Sequence, residues 1–91
     1  MTTLITRHEV HDFDTWRTVF GGHRDNRQAH GATCHRIYRS GNDVTVLTDF
    51  PDRASAEKFL ADPALRDVVA RAGFVDTPVT SICEFVDTEK Y

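Results

Sequence analysis

The stretch GATCHRIYRSGNDVTVLTDF, residues 31 to 50, constrains the fold of this chain more than any other. Two runs rich in β-branched residues flank Gly-Asn-Asp, which tolerates the positive φ angles of a tight turn, so the segment predicts an antiparallel hairpin. Each flank adds one strand and one helix. Upstream, TLITRHEV (3 to 10) reads as a strand that runs into Asp-Phe-Asp. Asp12 is placed to cap a helix, its carboxylate accepting amide hydrogens of the first turn. That helix buries Phe13, Trp16 and Phe20 on one stripe and is expected to run to Gly31. Downstream, Asp52 caps a helix through RASAEKFLA, and Asp62-Pro63 restarts it, since proline at the first helical position loses no hydrogen bond. Leu65, Val68, Val69 and Ala72 follow the i, i+3, i+4, i+7 rule, Gly73 ends the segment, and VTSICEFV (79 to 86) forms the last strand. The order βαββαβ is the ferredoxin-like α+β arrangement: one domain over residues 1–91, a four-stranded antiparallel sheet in the order 4-1-3-2, helices on one face.

The other sheet face then needs a cover. Val44 and Val46 lie on one side of the third strand and Leu47 on the other, while Ile82 and Val86 oppose Val79 and Phe85 in the fourth. An antiparallel sheet with one wet face alternates more cleanly. A chain of 91 residues also leaves much apolar surface uncovered. Both features predict a homodimer in which the second face packs on a partner sheet. A formal charge of -3 without any basic block disfavours nucleic acid and anionic membrane surfaces as partners. With no signal-peptide pattern and no apolar window of spanning length, a cytoplasmic protein is expected.

Cys34 and Cys83 fall on the two outer strands of that order, about three spacings of ~4.8 Å apart, whereas a disulfide needs Cα atoms within ~7 Å. Two reduced, mostly buried thiols are expected.

Chemistry is concentrated in the histidines, all five of which lie between positions 8 and 35. At about 100° per residue, the stripe of Phe13, Trp16 and Phe20 continues as His23, Arg27 and His30. It turns polar halfway along, which implies either a helix end in solvent or a lined cleft between helix and sheet. On the first strand, Leu4, Thr6, His8 and Val10 share the more apolar face, so His8 points toward the side from which His23 and Arg27 come. His11 reads as a surface or capping residue, and the face of His35 is open. His23 and His30 stand two turns apart, about 10 Å along the axis, too far for one zinc, and no metal is expected. A neutral imidazole beside a cation suits proton transfer better, Arg27 keeping His23 available as a base. Gly21-Gly22 within the helix costs roughly 2 kcal/mol relative to two alanines, so a close approach or a kink at His23 should offset it. Among the aromatic residues, Trp16 and Phe74 are candidates to line a cavity.

DFDTWRTVFGGHRDNRQAHGATCHRIYR, followed by VTVLTDFPDRASAEKFLADPALRDVVARAGFVDTP, resembles small actinobacterial proteins of the dimeric α/β-barrel superfamily over nearly the whole chain. That superfamily includes antibiotic-biosynthesis monooxygenases, polyketide cyclases and stress-responsive proteins, and the short subgroup is often described as cyclases. The resemblance implies a homodimer with a pocket between each sheet and its helices. It implies a cofactor-independent enzyme of secondary metabolism that works by acid/base chemistry on an aromatic or polyketide-like compound. The monooxygenases deprotonate a phenol or enol and let the carbanion reduce oxygen; the cyclases promote aldol closure. In these terms His23 and Arg27 are the expected catalytic pair, and His8, Trp16, Phe20, Tyr38 and Phe74 the substrate-binding set. The haem-degrading branch uses a histidine on the second helix, and this chain has none after His35. The alternative is a non-catalytic dimeric ligand-binding or stress-response protein.

Overall fold

The computed structural model describes the backbone of residues 1–91 and every side chain except those of Arg66, Val69 and Ala72. The elements follow in the order β1 (Thr2–Glu9), α1 (Phe13–Gly22), α2 (Arg24–Ala29), β2 (Cys34–Ser40), β3 (Asp43–Phe50), α3 (Arg53–Ala61), α4 (Pro63–Ala72) and β4 (Val79–Glu84). The four strands form one antiparallel sheet in the order β2-β3-β1-β4, the expected topology, with the helices on one face.

Local chemistry sets most of the boundaries. Thr15 and Ser55 each donate a backbone N–H to the side chain of the preceding cap, Asp12 and Asp52, at 2.9 and 2.8 Å. Asp62 caps α4 by accepting from the Ala64 N–H, with Pro63 in the first turn and Gly73 closing the helix in the left-handed conformation. The hairpin turn is Gly41-Asn42, and only Gly41 takes a positive φ, as a turn with glycine at its first central position requires.

The first helical segment differs from expectation. It breaks at His23 into α1 and α2, where one helix to Gly31 was expected. The Phe20 carbonyl accepts from the His23 N–H at 3.2 Å and from the Arg27 guanidinium at 2.7 Å, so a side chain stabilises the break. A Cβ on Gly21 or Gly22 would meet nothing within 4 Å among the described residues. The glycine pair therefore accompanies the kink and no close contact.

Pairing fixes the phase of every strand. Thr2, Leu4, Thr6 and His8 face the helices, in register with Phe50, Thr48, Val46 and Val44 of β3, and Val10 continues that face with a bridge to Phe74. Two half-cores result. Val10, Trp16, Val44 and Val46 form one, with Phe13, Val19, Phe20, Ile37 and Phe74 against it. Leu4, Phe50, Ala56 and Phe59 form the other, joined by Ala32, Leu60, Leu65 and Ile82. Val68 is buried; Val69 and Ala72, expected on the same stripe, lie outside the described side chains.

The open sheet face carries Ile5, Leu47, Tyr38 and Val79 along a row of polar groups: Cys34, Asp49, Thr3 and Cys83 on successive strands. Asp49 accepts from the Thr3 hydroxyl at 2.7 Å and from the Cys34 thiol at 3.0 Å. Burial works against its charge, but these two donors, with Arg36 and the N-terminus, hold its pKa below the usual value. Both cysteines are free, as expected for opposite edges of the sheet. Both are exposed on the single chain, contrary to the expected burial, because their phase puts them on the face away from the helices.

Candidate functional site

Between the two half-cores lies a cavity of about 220 Å³. Its wall combines Leu4, Phe59, Leu60 and Leu65 from one half with Trp16, Phe20, Val46 and Phe74 from the other. Against this apolar background stand His8, His23 and Arg27, with Thr6, Thr48 and Thr80; no carboxylate lines the cavity among the described residues.

His8 projects from β1 between two rings, its centroid 4.4 Å from that of Phe74 and 5.4 Å from that of Trp16. It is 9% exposed, and neither ring nitrogen has a hydrogen-bond partner among the described residues. Burial pushes its pKa down to about 4, so the imidazole is neutral at pH 7. Leaving a buried donor and acceptor unpaired costs about 1–3 kcal/mol each, so the bare ring is unfavourable until something binds it.

His23 reaches the cavity from the junction of α1 and α2. Burial lowers its pKa first, and Arg27 second, while Asp62 opposes them. Arg27, the expected source of this shift, thus contributes less than desolvation. Arg27 itself is 6% exposed, which assigns the polar continuation of the stripe to a lined cleft and not to a helix end in solvent. Its guanidinium lies 3.8 Å from the Phe20 ring centroid and makes no ion pair among the described residues.

The cavity thus brings together His23, Arg27, His8, Trp16, Phe20 and Phe74 of the expected site. Tyr38 does not join them. It pairs with Thr45 on the open face and is 58% exposed, because it is out of phase with Ile37, whose side packs on the core. It does not line this cavity, contrary to the expected substrate-binding place. His35 turns out to face the helices, edge-on to Phe20 with centroids 5.1 Å apart. His30 leaves the stripe to pair with Asp62 at 2.7 Å, tying the end of α2 to the cap of α4. His11 is exposed. Phe59, Leu60 and Leu65 also line the cavity without having been expected there; of the three, only Leu65 stood on a stripe read from helical spacing.

No family model matches the chain, and no curated protein matches it. Solved structures match over nearly its full length. A cofactor-independent oxygenase, SnoaB from Streptomyces nogalater, superposes with a TM-score of 0.80 at 17% identity, covering 96% of this chain and 94% of its own. Rv0793 from Mycobacterium tuberculosis gives 0.74 at 12% identity over 98% of both chains. A structure described as an antibiotic biosynthesis monooxygenase gives 0.66 at 14% identity over 96% of this chain and all of its own. At these identities the likeness establishes the fold, a ferredoxin-like chain of the kind found in antibiotic biosynthesis monooxygenases.

Proposed function

We propose that this chain is a cofactor-independent acid/base catalyst acting on a phenolic or enolic aromatic compound, of oxygenase type, with aldol cyclisation as the related chemistry of the same site. One observation carries the proposal: a neutral, buried imidazole with both nitrogens unpartnered, in an apolar cavity that also holds a second imidazole and a buried guanidinium but no carboxylate among the described residues. Such a site keeps its imidazoles neutral, and so free to accept a proton, and its guanidinium favours a substrate anion. His23 takes the proton of the substrate hydroxyl, Arg27 balances the oxyanion, and His8 orients the substrate with one donor and one acceptor. Trp16, Phe20 and Phe74 pack on its rings. The enolate then reduces dioxygen: a ring C–H becomes C=O, one oxygen atom enters the product, and the other leaves as water with that hydrogen and the proton held by His23. SnoaB shares this fold and is a cofactor-independent oxygenase, which supports that choice of chemistry.

The proposal includes a cytoplasmic homodimer. Ile5 and Leu47, half-buried on the open face beside exposed Tyr38 and Val79, support a cover for that face, and the hydrogen bonds to Asp49 leave its carboxylate satisfied there. Among the described residues no helix is long and apolar enough to cross a membrane.

Dioxygen uptake with a panel of anthrones, naphthols and linear poly-β-ketones, in the presence of a chelator, tests the activity. Consumption of one O₂ per substrate is expected, falling by about 10²–10⁴-fold in His23→Gln, with the acid limb of kcat/KM set by a pKa below 6.5. A second reading, a non-catalytic ligand-binding protein, has one observation in its favour: Arg27 already serves the helix break through the Phe20 carbonyl. Quenching of Trp16 fluorescence by the same compounds, without oxygen uptake or ring closure, would select that reading.

A further inference from the structure

A smaller cavity of about 130 Å³ adjoins the first, and Arg27 and Thr48 belong to the walls of both. Its other polar walls are Arg24, Gln28, Thr33, His35 and Cys34, whose thiol donates to Asp49, and again no carboxylate lines it among the described residues. That is unexpected in a chain with a net charge of -3. Arg27 carries the heaviest electrostatic load: it is almost fully buried, has no ion pair among the described residues, and feels Arg17 and Arg24 as like charges. One of its five N–H donors goes to the Phe20 carbonyl. A buried cation without a counter-charge is strongly unfavourable, and one carbonyl and one ring face offset only part of that cost.

We infer that the substrate carries a carboxylate separate from its reacting hydroxyl, seated in the smaller cavity against Arg24 and Arg27, beside His35, while its aromatic body fills the larger one. The planar guanidinium fork matches a carboxylate, and the site grades from apolar walls to cationic ones, so it fixes which end of the molecule enters first. Size agrees with this division. A dry cavity of about 150 Å³ holds benzene, so 220 Å³ suits a fused bicyclic body, with the acid on a short arm reaching past Arg27. Arg27 lines both cavities, so in this arrangement its remaining donors serve the carboxylate and the oxyanion together. This inference rests on the site being a substrate pocket, and it names the class of substrate.

The test is a titration of the chain with 3-(hydroxynaphthyl)propanoic acid and with its primary amide, followed by quenching of Trp16, the single tryptophan, which lies in the cavity wall. The acid is expected to bind at least about tenfold more tightly, with a preference that shrinks as salt is raised. Arg24 is exposed, so Arg24→Gln leaves the core intact and is expected to remove most of the preference, whereas Arg27→Gln would also release the helix break. Equal affinity for acid and amide, tighter binding of the amide, or binding of neither overturns the inference. Failure of the two claims is separable. Preferred binding of the acid without oxygen uptake leaves the carboxylate site standing and removes the oxygenase; equal binding with equal turnover of acid and amide does the reverse.

Discussion

His8 buries two ring nitrogens without a partner among the described residues, and its replacement and its titration can both be predicted. Replacing it by Leu removes two unpaired buried nitrogens at about 1–3 kcal/mol each and loses ring contacts with Trp16 and Phe74 worth about 0.5–1.5 kcal/mol each. His8→Leu should therefore gain about 1 kcal/mol in urea unfolding at pH 7.5 while losing oxygen uptake; a destabilised variant with full turnover would sink both the stability and the functional claim. Acid has the opposite effect on the native chain. Folded His8 stays neutral down to about pH 4, whereas the unfolded ring takes its proton near 6.5. Between those values the unfolded chain binds more protons, so stability is full above pH 6.5 and falls as pH drops toward 4, by about 2 kcal/mol at pH 5. His23 and His35, lowered in the same direction, steepen the loss. Comparing urea midpoints at pH 7.5 and 5 checks this: the slope should flatten in His8→Leu, and an unchanged slope would assign the acid sensitivity elsewhere. The face of His8 was legible in the sequence because Leu4, Thr6 and Val10 keep step with it. Those of His35 and Tyr38 were not, since CHRIYR has one aliphatic residue, Ile37, to set its phase, and pairing with β3 decides it.

Among the elements, the βαββαβ order and most boundaries were legible because their signals are local: Asp12, Asp52 and Asp62-Pro63 act on residues two or three positions away. A kink at His23 was one of the readings that Gly21-Gly22 offered, but the separation into two helices was not legible, because it depends on a bond from Arg27 to a carbonyl seven residues back. The exposure of both cysteines also escaped, since it follows from sheet phase. The break leaves Gly21 in α1 with negative φ and open space where a methyl group would sit. Gly21→Ala should accordingly raise stability by about 0.5–1 kcal/mol, mainly by restricting the unfolded chain, with oxygen uptake unchanged. Thermal unfolding measures the first and uptake the second. A destabilised Gly21→Ala would mean that the segment needs more backbone freedom than α1 uses.

For the whole molecule, the proposed dimer makes Leu47→Asp a direct probe, because Leu47 stands near the middle of the open face opposite Ile5. Light scattering after gel filtration should give twice the chain mass for the native sequence and the chain mass for the variant; a monomeric native chain would remove the cover for this face. The sheet order has a further effect, on synthesis. The first strand made, β1, lies inside the sheet, and its neighbour β4 is made last: Thr2 ends beside Glu84, its hydroxyl donating to a carboxylate 82 residues away. Until β4 emerges, one edge of β1 has its amides and carbonyls unsatisfied, a template for pairing with another nascent chain. Yield in cells should thus depend less on the stability of the finished fold than on how long a ribosome takes to travel from β3 to β4.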